Sequence, residues 1–289
     1  DFGSGGPLVG TRLEPYRGAV ITSPSPRNPF QVFLDVIEDS LGLHLTAQSA
    51  PRLGETLTSR ARSTNLSLEA YLRRLVNDPS ELQRWAQILT VGETYFFRHQ
   101  EQLKAFSQLS LAKKRTPTDP NLRVLSVGCS RGEEPYSLAI LTRMAGLSQA
   151  QVNITGFDLN LCSLGQAKAG RYSAWSLREP PAEVRARWFR HQGQSYYLDN
   201  SILNSVNFVE TNVVRPRAQH WLPESMDIIF CRNVLMYFSP SKVQAVGELL
   251  YRTLAPGGYL FLGHAESLKR SSCPFELLNT HNCFYYRKP

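Results

Sequence analysis

The sequence predicts an α/β protein: a doubly wound parallel sheet preceded by a small helical region. Three observations carry the prediction. Residues 124–127 are a short apolar run leading through Gly128 and Gly132 into a helical stretch over 136–141, the pattern of a buried strand, a tight turn and a helix. A second apolar run, Ile154-Thr155-Gly156-Phe157, ends in Asp158 a helix-length further on. Beyond Thr116-Pro117-Thr118-Asp119-Pro120, strand-like and helix-like segments alternate, which implies parallel strands joined by helical crossovers.

In chain order, residues 1–29 carry repeated Gly and Pro with few periodic apolar positions and read as an irregular arm. From Phe30 to about Phe106 the spacing is helical, as in Phe30, Phe33, Leu34, Ile37 and Leu41, so a helical domain is expected over 30–115. Asp78-Pro79-Ser80-Glu81 predicts a turn into a further helix holding Leu82, Trp85 and Leu89. The proline-rich linker then opens the second domain, 116–289, with strands expected at 123–127, 153–158, 226–231 and 258–262. Between Gly170 and Asn212 the rhythm breaks. Short strand-like runs at 188–189, 195–198 and 206–209, separated by turn residues, suggest an inserted antiparallel β-subdomain at about 171–210, or else an enlarged edge of the main sheet.

The chain has 289 residues and is 42% hydrophobic, enough for one large α/β domain and a small accessory one. No run approaches the roughly 18 apolar residues of a membrane span, and no signal-peptide pattern opens the sequence. A cytoplasmic protein without membrane insertion is therefore expected. Five cysteines (Cys129, Cys162, Cys231, Cys273, Cys283) form no CxxC pair and predict neither a metal site nor a disulfide framework. A net charge of +8 favours an acidic partner. The basic residues are spread rather than clustered, so nucleic acid is not the expected one. No heptad seam calls for association, and a monomer is expected.

The first turn also speaks to its ligand. Glu133 and Glu134 beside the glycines would repel a diphosphate and suit a cationic group. S-adenosylmethionine, with an ammonium, a sulfonium and no phosphate, fits that environment. Asp158 stands where adjacent parallel strands present a ribose-binding carboxylate, although capping the next helix would equally use it.

Five motifs together resemble the CheR family of S-adenosylmethionine-dependent protein-glutamate methyltransferases. They are Glu93-Thr94-Tyr95-Phe96-Phe97-Arg98, Gly132-Glu133-Glu134-Pro135-Tyr136-Ser137, Phe157-Asp158-Leu159-Asn160, Phe230-Cys231-Arg232-Asn233-Val234-Leu235-Met236-Tyr237-Phe238, and the segment from Gly257 to Ser267 containing Gly263-His264-Ala265-Glu266. The resemblance runs from about Phe30 to Tyr286. It implies a Rossmann-like class I methyltransferase sheet with an N-terminal helical domain and a small antiparallel β-subdomain. It also implies that Thr94, Arg98, Gly128, Glu134, Asp158, Asn212, Val213, Asn233 and Val234 bind cofactor, with Asn212 and Val213 near the adenine. Arg98 and Tyr237 fall on the family's positions beside the transferred methyl. The chain departs from the family in having Asn212-Val213 for Asn-Leu and Gly-His-Ala-Glu for Gly-His-Ser-Glu. The implied activity is methylation of glutamate carboxylates on the cytoplasmic helical bundle of a methyl-accepting receptor.

That chemistry suits the residues. A carboxylate nucleophile is already ionised at neutral pH, so positioning, worth roughly 7–11 kcal/mol, matters more than a general base. Arg98 suits holding the acceptor carboxylate and Tyr237 donating to it. Asn233 is expected at the ligand or as a cap, Thr94 at the cofactor carboxylate or as a cap, and the His264–Glu266 pair as a buried organiser of a strand end. Arg52, Arg60, Arg62, Arg73 and Arg74 read either as a basic docking face for an acidic helical bundle or as ordinary solvated charge.

Overall fold

The computed structural model describes residues 28–45, 50–90, 92–113, 120–269, 271–280 and 283–289. Nearly all of the expected arm and most of the expected linker lie outside the described residues.

Four helices come first: α1 (Pro29–Leu41), α2 (Ala50–Ser63), α3 (Leu68–Asn77) and α4 (Pro79–Leu89). Their starts follow from capping chemistry. Asn28 accepts from the Phe30 amide with Pro29 in the first turn, Ser67 accepts from the Ala70 amide, and Asp78 accepts from the amides of Ser80 and Glu81 ahead of Pro79. Phe33, Ile37 and Leu41 of α1 close on Leu57, Tyr71, Leu75 and Trp85 to form one apolar core. Inside it Glu81, 2% exposed, accepts from Arg60 at 2.6 Å and from the Tyr71 hydroxyl at 2.6 Å, while the Trp85 indole N–H donates to that hydroxyl at 2.8 Å. Arg60 is thus a structural ion-pair partner rather than a surface charge. Arg74 pairs with Asp78 at 2.9 Å. Of the expected basic face, Arg52, Arg62 and Arg73 remain exposed without a carboxylate partner among the described residues.

Helix α5 (Gln100–Lys113) leads into ten strands: β1 (Leu122–Val127), β2 (Val152–Asp158), β3 (Arg171–Tyr172), β4 (Phe189–Gln192), β5 (Ser195–Leu198), β6 (Val206–Glu210), β7 (Met226–Cys231), β8 (Leu254–Leu262), β9 (Glu276–Thr280) and β10 (Cys283–Arg287). Helices α6 (Glu133–Met144), α7 (Leu161–Ala169), α8 (Ala182–Trp188), α9 (Asn200–Leu203) and α10 (Pro240–Thr253) lie between them. The main sheet runs β6-β2-β1-β7-β8-β10-β9, and β3-β5-β4 form a small antiparallel sheet. Neighbouring residues of the central strands serve opposite faces. Val124, Ile154, Phe230 and Phe261 enter a core with α5 and α6, whereas Leu125, Ile229, Leu260 and Leu262 enter one with α10.

Three expectations change in detail. The pairings from β6 to β8 are parallel, but β9 and β10 are antiparallel additions. Only two residues separate them, too few for a crossover. The run at 206–209, grouped by sequence with the inserted lobe, is β6 of the main sheet, with Ile154 facing Val206. Helix α5, grouped with the helical region, belongs to the sheet core through Leu103, Ala105 and Phe106. Phe106 meets Phe230 edge-on at 5.6 Å.

Candidate functional site

Strand β1 has β2 on one side and β7 on the other, so the chain connections diverge at its carboxyl end, where open α/β sheets form ligand crevices. Gly128 follows β1 with φ +68°, and a Cβ there would lie 2.5 Å from Val234 Cγ2. Only glycine fits this crossing of two chain segments. Its amide donates to the Phe157 carbonyl at 2.8 Å, tying the turn to the end of β2. Gly132, at φ +87°, then starts α6 directly behind the turn.

Two adjoining cavities of about 750 and 760 Å³, solvent mouths included, open here and share Gly128, Ser130, Asn233 and Tyr237. The first is largely apolar, walled by Phe157, Val213, Trp221, Val234 and Phe238, with Asp158, Asn212 and Thr211 also on its lining. Leu41 and Leu43 reach it from the helical region. That contact is fixed by an isolated bridge from Leu43 to Phe238 and by the His44 amide donating to the Tyr237 carbonyl at 2.7 Å. The second cavity is polar and holds Glu93, Thr94, Arg98, Glu134, Arg232 and Met236. Every sequence-predicted site residue therefore lines one cavity or both.

Asp158 ends β2 with its carboxylate accepting from the Ser130 amide at 2.7 Å and the Asn160 amide at 2.8 Å. Burial pushes its carboxyl above the ordinary value, against the pull of those amides. Asn160, not Asp158, caps α7 by accepting from Ser163. Glu134 accepts from Ser126 Oγ at 2.6 Å and from Arg232 Nε at 2.6 Å. Arg232 also donates to the Arg98 carbonyl at 2.9 Å and to Gln102 Oε1 at 2.8 Å, so one buried guanidinium positions both Glu134 and the Arg98 turn. Arg98 Nη1 donates to the Glu93 carbonyl at 2.9 Å. Burial pushes the Tyr237 hydroxyl above its usual value, opposed by the Arg98 charge.

Asn212 uses its side chain structurally: Nδ2 donates to the Ser40 carbonyl at 2.9 Å and Oδ1 accepts from the Val214 amide at 2.9 Å. It fastens α1 to the loop after β6. Glu266 accepts from the amides of Asn233 and Gly263 at 2.7 Å each, and from Met236 at 3.2 Å. This fits the expected organising role, although His264 is exposed rather than buried and stacks edge-on against His99 at 4.2 Å. His99 is pushed down to about 3 by burial, then by the charges of Arg232, His264 and Arg98, so it is neutral at physiological pH. Phe97, His99, Ser130 and Asn233 all hold positive φ, four of the six non-glycine residues that do so among the described residues. Backbone strain is thus concentrated around this crevice.

The residues present fit S-adenosylmethionine. Ser130 Oγ and Thr211 Oγ1 are buried without a hydrogen-bond partner among the described residues, and both residues line the cavities. The apolar compartment with its buried acid suits an adenosine. The charged compartment, with the carboxylates of Glu93 and Glu134 and the guanidiniums of Arg98 and Arg232, suits an amino acid zwitterion. Sequence reasoning missed Leu41, Leu43, Trp221 and Thr211, for which no local signal exists. It quoted Arg232 inside a motif without giving it a role.

Among described residues no helix is long and apolar enough to cross a membrane, and no His, Cys, Asp and Glu group could hold a metal. The family described as "CheR methyltransferase, SAM binding domain" matches residues 92–284. The chain is 37% identical over 214 residues to "Chemotaxis protein methyltransferase 2" of Vibrio cholerae, covering 72% of this chain and 74% of that protein. It is 33% identical over 240 residues to "Probable biofilm formation methyltransferase WspC" of Pseudomonas putida, covering 82% of this chain but only 56% of that longer relative. A solved N-methyltransferase, NodS of Bradyrhizobium japonicum in complex with S-adenosylhomocysteine, is 15% identical with a TM-score of 0.39, over 68% of this chain and 89% of that one. With that family matched over residues 92–284, the protein belongs to the CheR methyltransferases and is an S-adenosylmethionine-dependent enzyme.

Proposed function

We propose that the protein methylates glutamate side-chain carboxylates of a methyl-accepting, chemotaxis-type receptor. The observation that carries the reading is the polar cavity, which brings Arg98, whose Nε has no hydrogen-bond partner among the described residues, together with Tyr237 beside the cofactor crevice. Bound in the crevice, S-adenosylmethionine supplies a methyl on a sulfonium, and its transfer to a carboxylate oxygen gives the methyl ester and S-adenosylhomocysteine with no proton to remove.

The chain's own residues do the rest. Asp158 accepts from ribose hydroxyls; Val213, Val234 and Phe238 enclose the base; Asn212 sets the loop beside it. Glu134 takes the ammonium, with Thr94 and Gly128 completing that end and Asn233 bridging the compartments. Arg98 holds the acceptor carboxylate while Tyr237 donates to it, fixing one oxygen in line with the methyl. His99, neutral and occluded, takes no part in proton transfer.

The relatives named for chemotaxis and for biofilm formation support a receptor of this type rather than one particular pathway. Arg52, Arg62 and Arg73 provide the exposed cations for docking an acidic helical bundle. The test is incubation with methyl-labelled S-adenosylmethionine and membranes bearing such receptors, followed by mild base. Label on the receptor that base releases supports carboxyl methylation; base-stable label, or label elsewhere, contradicts it.

A further inference from the structure

Arg178 follows the turn Ala174–Leu177 after β3 and stands against Tyr95, in the segment between the cavity-lining residues Thr94 and Arg98. Its guanidinium is stacked between two rings, 3.5 Å from the Tyr95 centroid and 4.0 Å from the Trp175 centroid. Nη1 is hooked to the Trp175 carbonyl at 2.8 Å. Trp175 is 62% exposed, which is costly for a large apolar ring unless something covers it. The Phe96 amide donates to the Ser176 carbonyl at 2.9 Å, locking this turn to the segment that carries Arg98. The Arg98 guanidinium lies 5.6 Å from the same Tyr95 ring. Two guanidiniums are thus held beside one aromatic ring, and one of them, Arg98, lines the polar cavity.

No carboxylate pairs with Arg178 among the described residues, and its Nε and Nη2 make no hydrogen bond there. The stacking immobilises the group without neutralising it, which leaves a preorganised, planar donor edge. Such an edge recognises a carboxylate bidentately.

We propose that Arg178, framed by Tyr95 and Trp175, is an acceptor-positioning residue: it binds a second carboxylate of the acceptor segment, adjacent to the glutamate held at Arg98, and Trp175 covers the apolar flank of that segment. This rests on the proposed carboxyl methylation. Substrates carrying two acidic side chains on one face are preferred, because one alone engages only Arg98.

The test compares wild type with Arg178→Ala, Arg178→Lys and Trp175→Ala on receptor membranes and on a pair of acidic helical peptides, one with a single glutamate and one with two glutamates a helical turn apart. Loss of one partly exposed charge-assisted contact should raise the KM for the two-glutamate peptide about fivefold in Arg178→Ala. The expected pattern has kcat and S-adenosylmethionine affinity unchanged, Arg178→Lys intermediate, and the single-glutamate peptide indifferent to the substitution. A thermal midpoint equal to wild type accompanies it. Equal KM effects on both peptides, a fall in kcat alone, or weakened cofactor binding overturns the proposal while leaving carboxyl methylation standing. Failure of wild type to form base-labile ester on any of these acceptors overturns both.

Discussion

Replacing Arg98 with alanine separates chemistry from cofactor binding. In the folded protein the side chain spends one hydrogen bond on the Glu93 carbonyl at 2.9 Å and leaves Nε buried without a partner among the described residues. Loss of the first bond, at an exposed segment, should cost folding only about 0.5–1.5 kcal/mol. The reacting complex loses more. A preorganised cationic donor aimed at the reacting oxygens is worth about 3–4 kcal/mol, so kcat should fall by roughly 10²–10³. Asp158→Asn is the counterpart. It removes a buried acceptor that two amides already orient, and should weaken S-adenosylmethionine by about tenfold or more while kcat at saturation stays close to wild type. Single-turnover formation of base-labile ester gives the chemical step, and calorimetry gives cofactor affinity. The reasoning is refuted if Arg98→Ala loses as much cofactor affinity as rate, or if its rate falls less than about tenfold.

Gly128→Ala, whose Cβ would lie 2.5 Å from Val234 Cγ2 at φ +68°, should lose cofactor affinity, and adding Val234→Ala should restore only part of it because the backbone strain remains; titration of both variants checks this. Arg60→Ala should cost about 3–5 kcal/mol of stability by stranding buried Glu81, whereas Arg62→Glu should leave the denaturation midpoint alone and raise the receptor KM. His99 is held neutral, with its pKa lowered to about 3 from 6.5, so the unfolded chain takes up a proton first and stability falls as pH drops from 6.5 toward 3. In His99→Asn, which keeps a side chain tolerant of φ +60°, acid unfolding followed by circular dichroism should show a shallower loss across that window.

Much of this site was legible because its parts are local. The glycine turn after β1, the acid ending β2 and the Glu133-Glu134 pair each declare themselves within a few residues, and their chemistry follows from residue type. What needed the structure is what the chain brings together across long separations. Leu41 and Leu43 line the crevice, and Leu43 pairs with Phe238, for which an amphipathic helix gives no sign. Helical spacing in α5 was visible, but periodicity says only that one face is buried, not against what; Phe106 chose Phe230. The run at 206–209 reads as a strand in either sheet, and its register with β2 decides the matter. Arg60 looked like its neighbours on α2 until Glu81, Tyr71 and Trp85 closed around it. The Arg178 stack was invisible for the same reason, since Tyr95 lies far from it in sequence.

The central claim is that the crevice delivers a methyl group to a glutamate carboxylate held at Arg98. Mass spectrometry of receptor peptides after reaction tests it most directly. The account predicts a single methyl addition on glutamate, reversed by alkali and absent with Arg98→Ala. Methylation on a nitrogen or a hydroxyl, or glutamate ester formed equally well without Arg98, would contradict it.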